Sequence, residues 1–161
     1  MMSLAHKKLG VRVTVKDSWW NAIILSGWAL LLFMAIISDR VPPSVWLDVR
    51  SIEVQDATVG ASPKMRVDRI IKSDFVATWL VEVEKDIGPG FAVYCSARGE
   101  SAYRTDAALP TPLTLDWWTY PSKCNLPAGR YRVETVWLIN VPFVPEKTVR
   151  VMSNVFTVLA E

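Results

Sequence analysis

Histidine is nearly absent from this chain. The single one, His6, precedes the long apolar run among the 161 residues. Everything after that run therefore lacks an imidazole base, a Ser-His pair and an imidazole metal ligand. Cysteine is scarce as well: Cys95 and Cys124 are the only two, too few for a thiolate zinc site. No GxxxxGK(S/T) or GxGxxG run offers a phosphate cradle. Carboxylates remain as possible catalysts. Glu82 and Glu84 fall on one strand face, and Asp116 follows Leu115. Such groups argue for catalysis only inside a cleft, and solvated strand faces are the expectation. No enzyme activity, cofactor or metal is expected.

A strong charge of one sign is also missing. The net charge is +2, and it is unevenly spread. Four of the eighteen Lys and Arg and one of the sixteen Asp and Glu lie in residues 1–18, which leaves fourteen against fifteen in the rest. The larger part is thus near neutral and carries no basic surface for nucleic acid.

What the chain does have is one long apolar run. Residues 19–37, WWNAIILSGWALLLFMAII, contain no charged side chain. As a helix they reach about 28 Å, close to the hydrocarbon thickness of a bilayer. A cleaved signal would need small residues three and one before the cut. Cuts after Ala35 or Ser38 put Phe33 or Ile36 at the outer of those positions. An uncleaved signal anchor is the expectation. Lys7, Lys8, Arg12 and Lys16 precede the run, whereas Asp39 and Arg40 nearly cancel after it. The positive-inside rule then puts residues 1–18 in the cytoplasm and residues 38–161 outside, in the periplasm of a bacterial inner membrane. Trp19 and Trp20 stand where an aromatic belt meets the headgroups. Ala22, Ser26 and Ala29, with Gly27 beside them, make a small-residue face only one step long, which ordinary helix composition explains. In the basic leader Val11, Val13 and Val15 alternate with polar residues, a strand period that needs a partner to stand.

The sidedness bears on the cysteines. Both lie on the outer side, where an oxidising compartment lets them close. A Cys95–Cys124 disulfide is expected, worth about 3 kcal/mol by chain entropy.

Residues 38–45, SDRVPPSV, read as a short stalk whose Pro42-Pro43 pair blocks helix. Beyond it the pattern alternates at period two, broken by turn residues. Strands are expected over 46–55, 64–71, 75–84, 91–97, 113–120, 130–140 and 148–160, with 98–112 a polar loop. About seven strands, with no helical period after residue 37, predict one all-β domain over 46–161, an antiparallel sandwich.

Leu126-Pro127-Ala128-Gly129-Arg130-Tyr131 sharpens that expectation. The stretch resembles the tyrosine corner of immunoglobulin-like and fibronectin type III-like sandwiches, in which a Tyr early in the sixth strand bonds back to the upstream backbone. The resemblance implies that Tyr131 is that residue and that Trp79 is the buried core tryptophan. Neither cysteine suits the antibody-type bridge, so a sandwich of the broad class is implied, and the fold by itself implies no function.

Two stretches are candidates for contact. In a strand, Trp117 and Trp118 would point to opposite faces, with Tyr120 two residues on. An exposed Trp can stack on sugar, pack on protein or sit among headgroups. The second is the loop 140–146, where Phe143 and Val144 lie between Pro142 and Pro145. A stiff apolar tip on a rigid scaffold suits a contact site, although a loop folded onto the core fits the same residues. The sequence therefore leads to a non-enzymatic, single-pass membrane protein whose outer sandwich contacts another protein. That describes an accessory or assembly subunit of an envelope complex, or a phage-encoded membrane protein. The alternative is an anchored module for peptidoglycan or surface glycan.

Overall fold

The computed structural model describes residues 15–119 and 124–160, with side chains from Trp19 onward. The strand-like leader at Val11 and Val13, His6 and Tyr120 lie outside the described residues. Two compact units are present, divided between Arg40 and Val41.

The first unit is a helix, α1, Val15–Arg40. It is long and apolar enough to cross a membrane, as an anchor or as a signal segment. It continues three residues beyond the apolar run, because Ser38, Asp39 and Arg40 contain no helix breaker. The block comes at Pro42, which also disfavours helical backbone at Val41. Within the expected stalk Pro42 is extended, and a 3-10 turn, Pro43–Val45, follows, closed by the Val45 N–H on the Pro42 carbonyl at 3.2 Å.

The second unit is mostly β. Strand β1, Leu47–Val54, pairs antiparallel with β3, Met65–Ile71. A register shift between Val49 and Ser51 resets the alternation of β1. Buried Leu47 and buried Ile52 and Val54 can then share one face despite their odd and even numbers.

The larger sheet is built on β4, Phe75–Asp86, and β6, Gly129–Asn140. They pair from Val76↔Asn140 to Lys85↔Tyr131. Strand β5, Phe91–Tyr103, lies on the other side of β4. The far edge of β6 is shared by β7, Lys147–Met152, and β8, Phe156–Leu159. A two-residue strand, β2, Ala57–Thr58, adds in parallel to β8.

The expected last strand is thus broken in two at Ser153. The backbone N–H of Ser153 still bonds the Val133 carbonyl at 2.8 Å, but the Val133 N–H is taken by the Ser153 hydroxyl at 2.8 Å. The hydroxyl stands in for a ladder carbonyl, which satisfies a buried donor and lets the strand bend.

One core takes side chains from both sheets. Leu47, Ile52, Val54 and Met65 come from the small sheet. Alternate residues of β4 and β6 come from the large one, among them Val81, Val83, Tyr131, Val133, Trp137 and Ile139. Two expectations are corrected here. The 98–112 loop begins later, because β5 continues through Tyr103 by pairing with the whole first half of β4. The 113–120 strand is reduced to one bridge, Thr114↔Lys64, followed by a helical turn, α2, Asp116–Thr119.

Candidate functional site

The approach to α2 explains why no strand forms. Leu113 accepts from the Met65 N–H at 3.0 Å, and the Leu115 N–H donates to Pro63 at 2.9 Å. Immediately afterwards the Trp118 and Thr119 N–H groups both turn back to the Leu115 carbonyl, at 2.9 and 3.0 Å. The Thr119 hydroxyl joins them at 3.1 Å. Local bonding thereby displaces the ladder. Neighbouring side chains on such a turn diverge by about 100° rather than 180°. Trp118, 6% exposed, packs edge-on against Trp137, with ring centroids 6.1 Å apart. Trp117 remains 50% exposed, its ring 6.2 Å from that of Trp118. The indoles are therefore neighbours on one side of the domain, one buried and one open.

Trp117 borders a groove of about 530 Å³ whose walls include Arg69, Trp79, Ser101, Tyr103 and Trp118. Trp79 faces Trp137 across β4 and β6 and Gly99 across β4 and β5. Its indole lies over the glycine: a Cβ at residue 99 would stand 2.5 Å from the ring. Its Nε1–H donates to the Ser101 hydroxyl at 3.2 Å. Trp79 is therefore only half-buried, and the most deeply buried tryptophan among the described residues is Trp137, 1% exposed. The reason is depth. Trp137 meets Tyr103 and Trp118 beneath the groove, whereas Trp79 folds outward across the glycine gap.

Tyr103 anchors the floor. It stacks on Phe75 with centroids 4.9 Å apart, and its hydroxyl accepts from the Trp137 Nε1–H at 3.0 Å. Burial pushes its pKa up, against the opposing pull of Trp137 and Arg69. Arg69 occupies the inward series Met65, Val67, Arg69, Ile71 of β3, and its guanidinium sits 5.4 Å from the centre of the Tyr103 ring. Burial pulls its pKa below the ordinary value. No carboxylate among the described residues pairs with it. Sequence reasoning passed over Arg69, Ser101 and Gly99. The readable signal was a charged residue in the apolar half of a period-two strand.

A second hollow, of about 340 Å³, shares Ala102 and Tyr103 with the groove and reaches Val141 and Pro142. There the chain reverses, with the Val144 N–H on the Val141 carbonyl at 3.2 Å. Phe143 has φ 65° and is fully exposed. Proline followed by a left-handed residue matches a type II turn, whose third position normally takes glycine. A bulky residue in that conformation costs on the order of 1–3 kcal/mol. Val144 is half-buried and packs on the core, so the apolar tip is Phe143 alone. Of the four candidate contact residues, Phe143 and Trp117 face outward, while Val144 and Trp118 turn inward.

The other candidates are structural in character. Cys95 and Cys124 form a disulfide with Cα atoms 5.7 Å apart, fastening 124–126 against β5. The Tyr94 hydroxyl reinforces it by donating to the Asn125 carbonyl at 3.0 Å. The Tyr131 hydroxyl donates to the Pro127 carbonyl at 2.7 Å. Carboxylate oxygens of Glu82, Glu84 and Glu134 lie within 4.8 Å of one another on the outer face of β4 and β6. Glu84 is not a solvated residue as expected: it is buried and paired with Arg132, and Glu134 is paired with Arg150 at 3.0 Å. Two of the three charges are thereby neutralised.

No known protein family, curated protein or solved structure matches this chain.

Proposed function

We propose that this chain is a non-enzymatic, single-pass protein of a bacterial inner membrane. In this reading α1 is an uncleaved anchor with its basic leader in the cytoplasm, and Trp19 and Trp20 lie at the inner headgroups. The domain from Val41 is an immunoglobulin-like β-sandwich in the periplasm. Its role is to hold a partner protein at the membrane, as an accessory or assembly subunit of an envelope complex of cellular or phage origin. The disulfide supports the oxidising side, and the Tyr131–Pro127 bond supports the sandwich class.

The observation that carries the contact role is Phe143. It is a fully exposed aromatic ring fixed in a strained turn after β6, next to Pro142 of one hollow, while half-exposed Trp117 borders the groove that shares Ala102 and Tyr103 with that hollow. Aromatic residues held rigidly on a surface are the usual anchors of interfaces, and backbone strain gathers at functional positions. The test is photo-crosslinking in intact membranes from position 143 or 117, with position 159 on β8, which pairs with the opposite end of β6, as control. One discrete protein adduct from 143 and 117, and none from 159, is expected. Equal adducts from all three positions, or none, would remove the contact face.

A second reading is favoured by the groove itself. An exposed Trp117 with a guanidinium and a hydroxyl beside it is the arrangement a glycan-binding module needs.

A further inference from the structure

We propose that the groove bordered by Trp117 receives an acidic sugar, the Arg69 guanidinium taking its carboxylate and the Trp117 indole its ring face. This deepens the glycan reading and rests on it.

Charge is the first argument. Arg69 projects from the inward side of β3 and is half-buried, with its guanidinium over the face of Tyr103 and no carboxylate among the described residues paired with it. The carboxylates nearby in sequence are engaged elsewhere: Asp68 lies 4.0 Å from Arg50, and Asp74 accepts from the Thr105 N–H at 2.9 Å. The other half-buried arginine among the described residues, Arg132, is paired with Glu84. A partly desolvated cation without an anion is costly, and an arriving anion relieves that cost. The planar fork of a guanidinium matches the two oxygens of a carboxylate.

Shape is the second argument. The groove is about 530 Å³, within the range of small-ligand sites. Its walls are indole and phenol rings, and its remaining lining is largely alanine, at 102, 107 and 108. Trp79 is locked by Ser101 and by its seat over Gly99, so this wall is preorganised. Flat aromatic walls around one cation and one hydroxyl suit a pyranose ring that carries a carboxylate. An acidic peptide would use Arg69 but would leave the ring faces without matching flat partners.

The test uses the full chain in nanodiscs of uncharged lipid. It is titrated at low salt with a short oligomer of a hexuronic acid, with the carboxyl-reduced form of that oligomer, and with an oligoglutamate peptide. Tryptophan emission and calorimetry report binding. The acidic oligomer is expected to bind at least tenfold more tightly than the neutral one. Arg69→Gln should abolish that preference, Arg69→Lys should recover part of it, and Trp117→Ala should weaken both sugars. Equal binding of the two sugars by the wild-type chain would overturn the Arg69 assignment while leaving the glycan reading standing. Binding of neither sugar would overturn both. Binding of oligoglutamate as tightly as the acidic sugar would overturn the choice of a sugar. The wild-type comparison needs no variant, so a misfolded substitution cannot shield the proposal.

Discussion

The side-chain amide of Asn154 pairs with both backbone groups of Val54. Its Oδ1 accepts the Val54 N–H at 2.7 Å, and its Nδ2 donates to the Val54 carbonyl at 2.9 Å. A side chain between β7 and β8 thus completes the end of β1, joining the small sheet to the edge of the large one. Val54 is buried, so neither group has ready access to water. Asn154→Ala should destabilise the domain by about 1–2 kcal/mol, since both groups lose their partner. Asn154→Asp keeps the acceptor but sets a carboxylate oxygen against the Val54 carbonyl, and should cost at least as much. Urea unfolding of the detergent-solubilised chain, followed by tryptophan fluorescence, measures both. Unchanged midpoints would mean that the sheets are held without this link.

The disulfide closes Cys95 on β5 to Cys124 across a separation of 29 residues. The chain-entropy argument assigns it about 3 kcal/mol. Reduction, or the Cys95→Ser/Cys124→Ser pair, should lower the unfolding free energy from urea titration by that amount. A shift of less than about 1 kcal/mol would show that the Tyr94–Asn125 bond and local packing suffice.

Thr135 is fully buried on the core side of β6, between Val133 and Trp137, and its hydroxyl has no hydrogen-bond partner among the described residues. An unpaired buried hydroxyl is destabilising relative to a methyl group. Thr135→Val, similar in shape and β-branched, should therefore stabilise the domain by about 1 kcal/mol. A destabilising result would mean that the hydroxyl has a partner in solution, such as an ordered water.

Burial raises the Tyr131 pKa, with the neighbouring Tyr94 adding to the effect, and burial raises that of Tyr103. Each phenol holds its proton more tightly when folded than when unfolded. Their contribution is therefore complete below the unfolded tyrosine value of about 10 and is lost as pH rises through the higher folded values. Urea midpoints should be flat for these groups between pH 7 and 9 and fall above about pH 10. Tyr131→Phe should cost about 1 kcal/mol at neutral pH, through the lost bond to Pro127, and should shrink the alkaline fall. An alkaline fall as steep in Tyr131→Phe as in the wild type would remove Tyr131 from the account.

Much of the β framework was readable because it rests on alternation. Phe75, Ala77, Val81 and Val83 mark the inward face of β4 directly, and the Gly129–Tyr131 opening of β6 carries its own signature. Elements decided by single local bonds were not readable. Leu115 gathers three donors and converts an expected strand into a turn, which reverses the logic for Trp117 and Trp118. Ser153 breaks the last strand by substituting a hydroxyl for a carbonyl. Arg98, Gly99 and Glu100 look like a loop yet remain in β5, because the ladder to β4 supplies what their side chains do not. The groove needed both surprises, the outward Trp79 over Gly99 and the inward-facing Arg69 of β3.

The sidedness of the domain is the claim on which the rest depends. Single cysteines introduced at Leu159 or Phe143, in a Cys95→Ser/Cys124→Ser background, can be exposed in intact cells with a permeable outer membrane to a thiol reagent that does not cross the inner membrane. A cysteine at Ser3 serves as the cytoplasmic control. The account predicts labelling at 159 and 143 without lysis, and labelling at 3 only after lysis. Labelling at 3 in intact cells, with 159 and 143 protected, would contradict it.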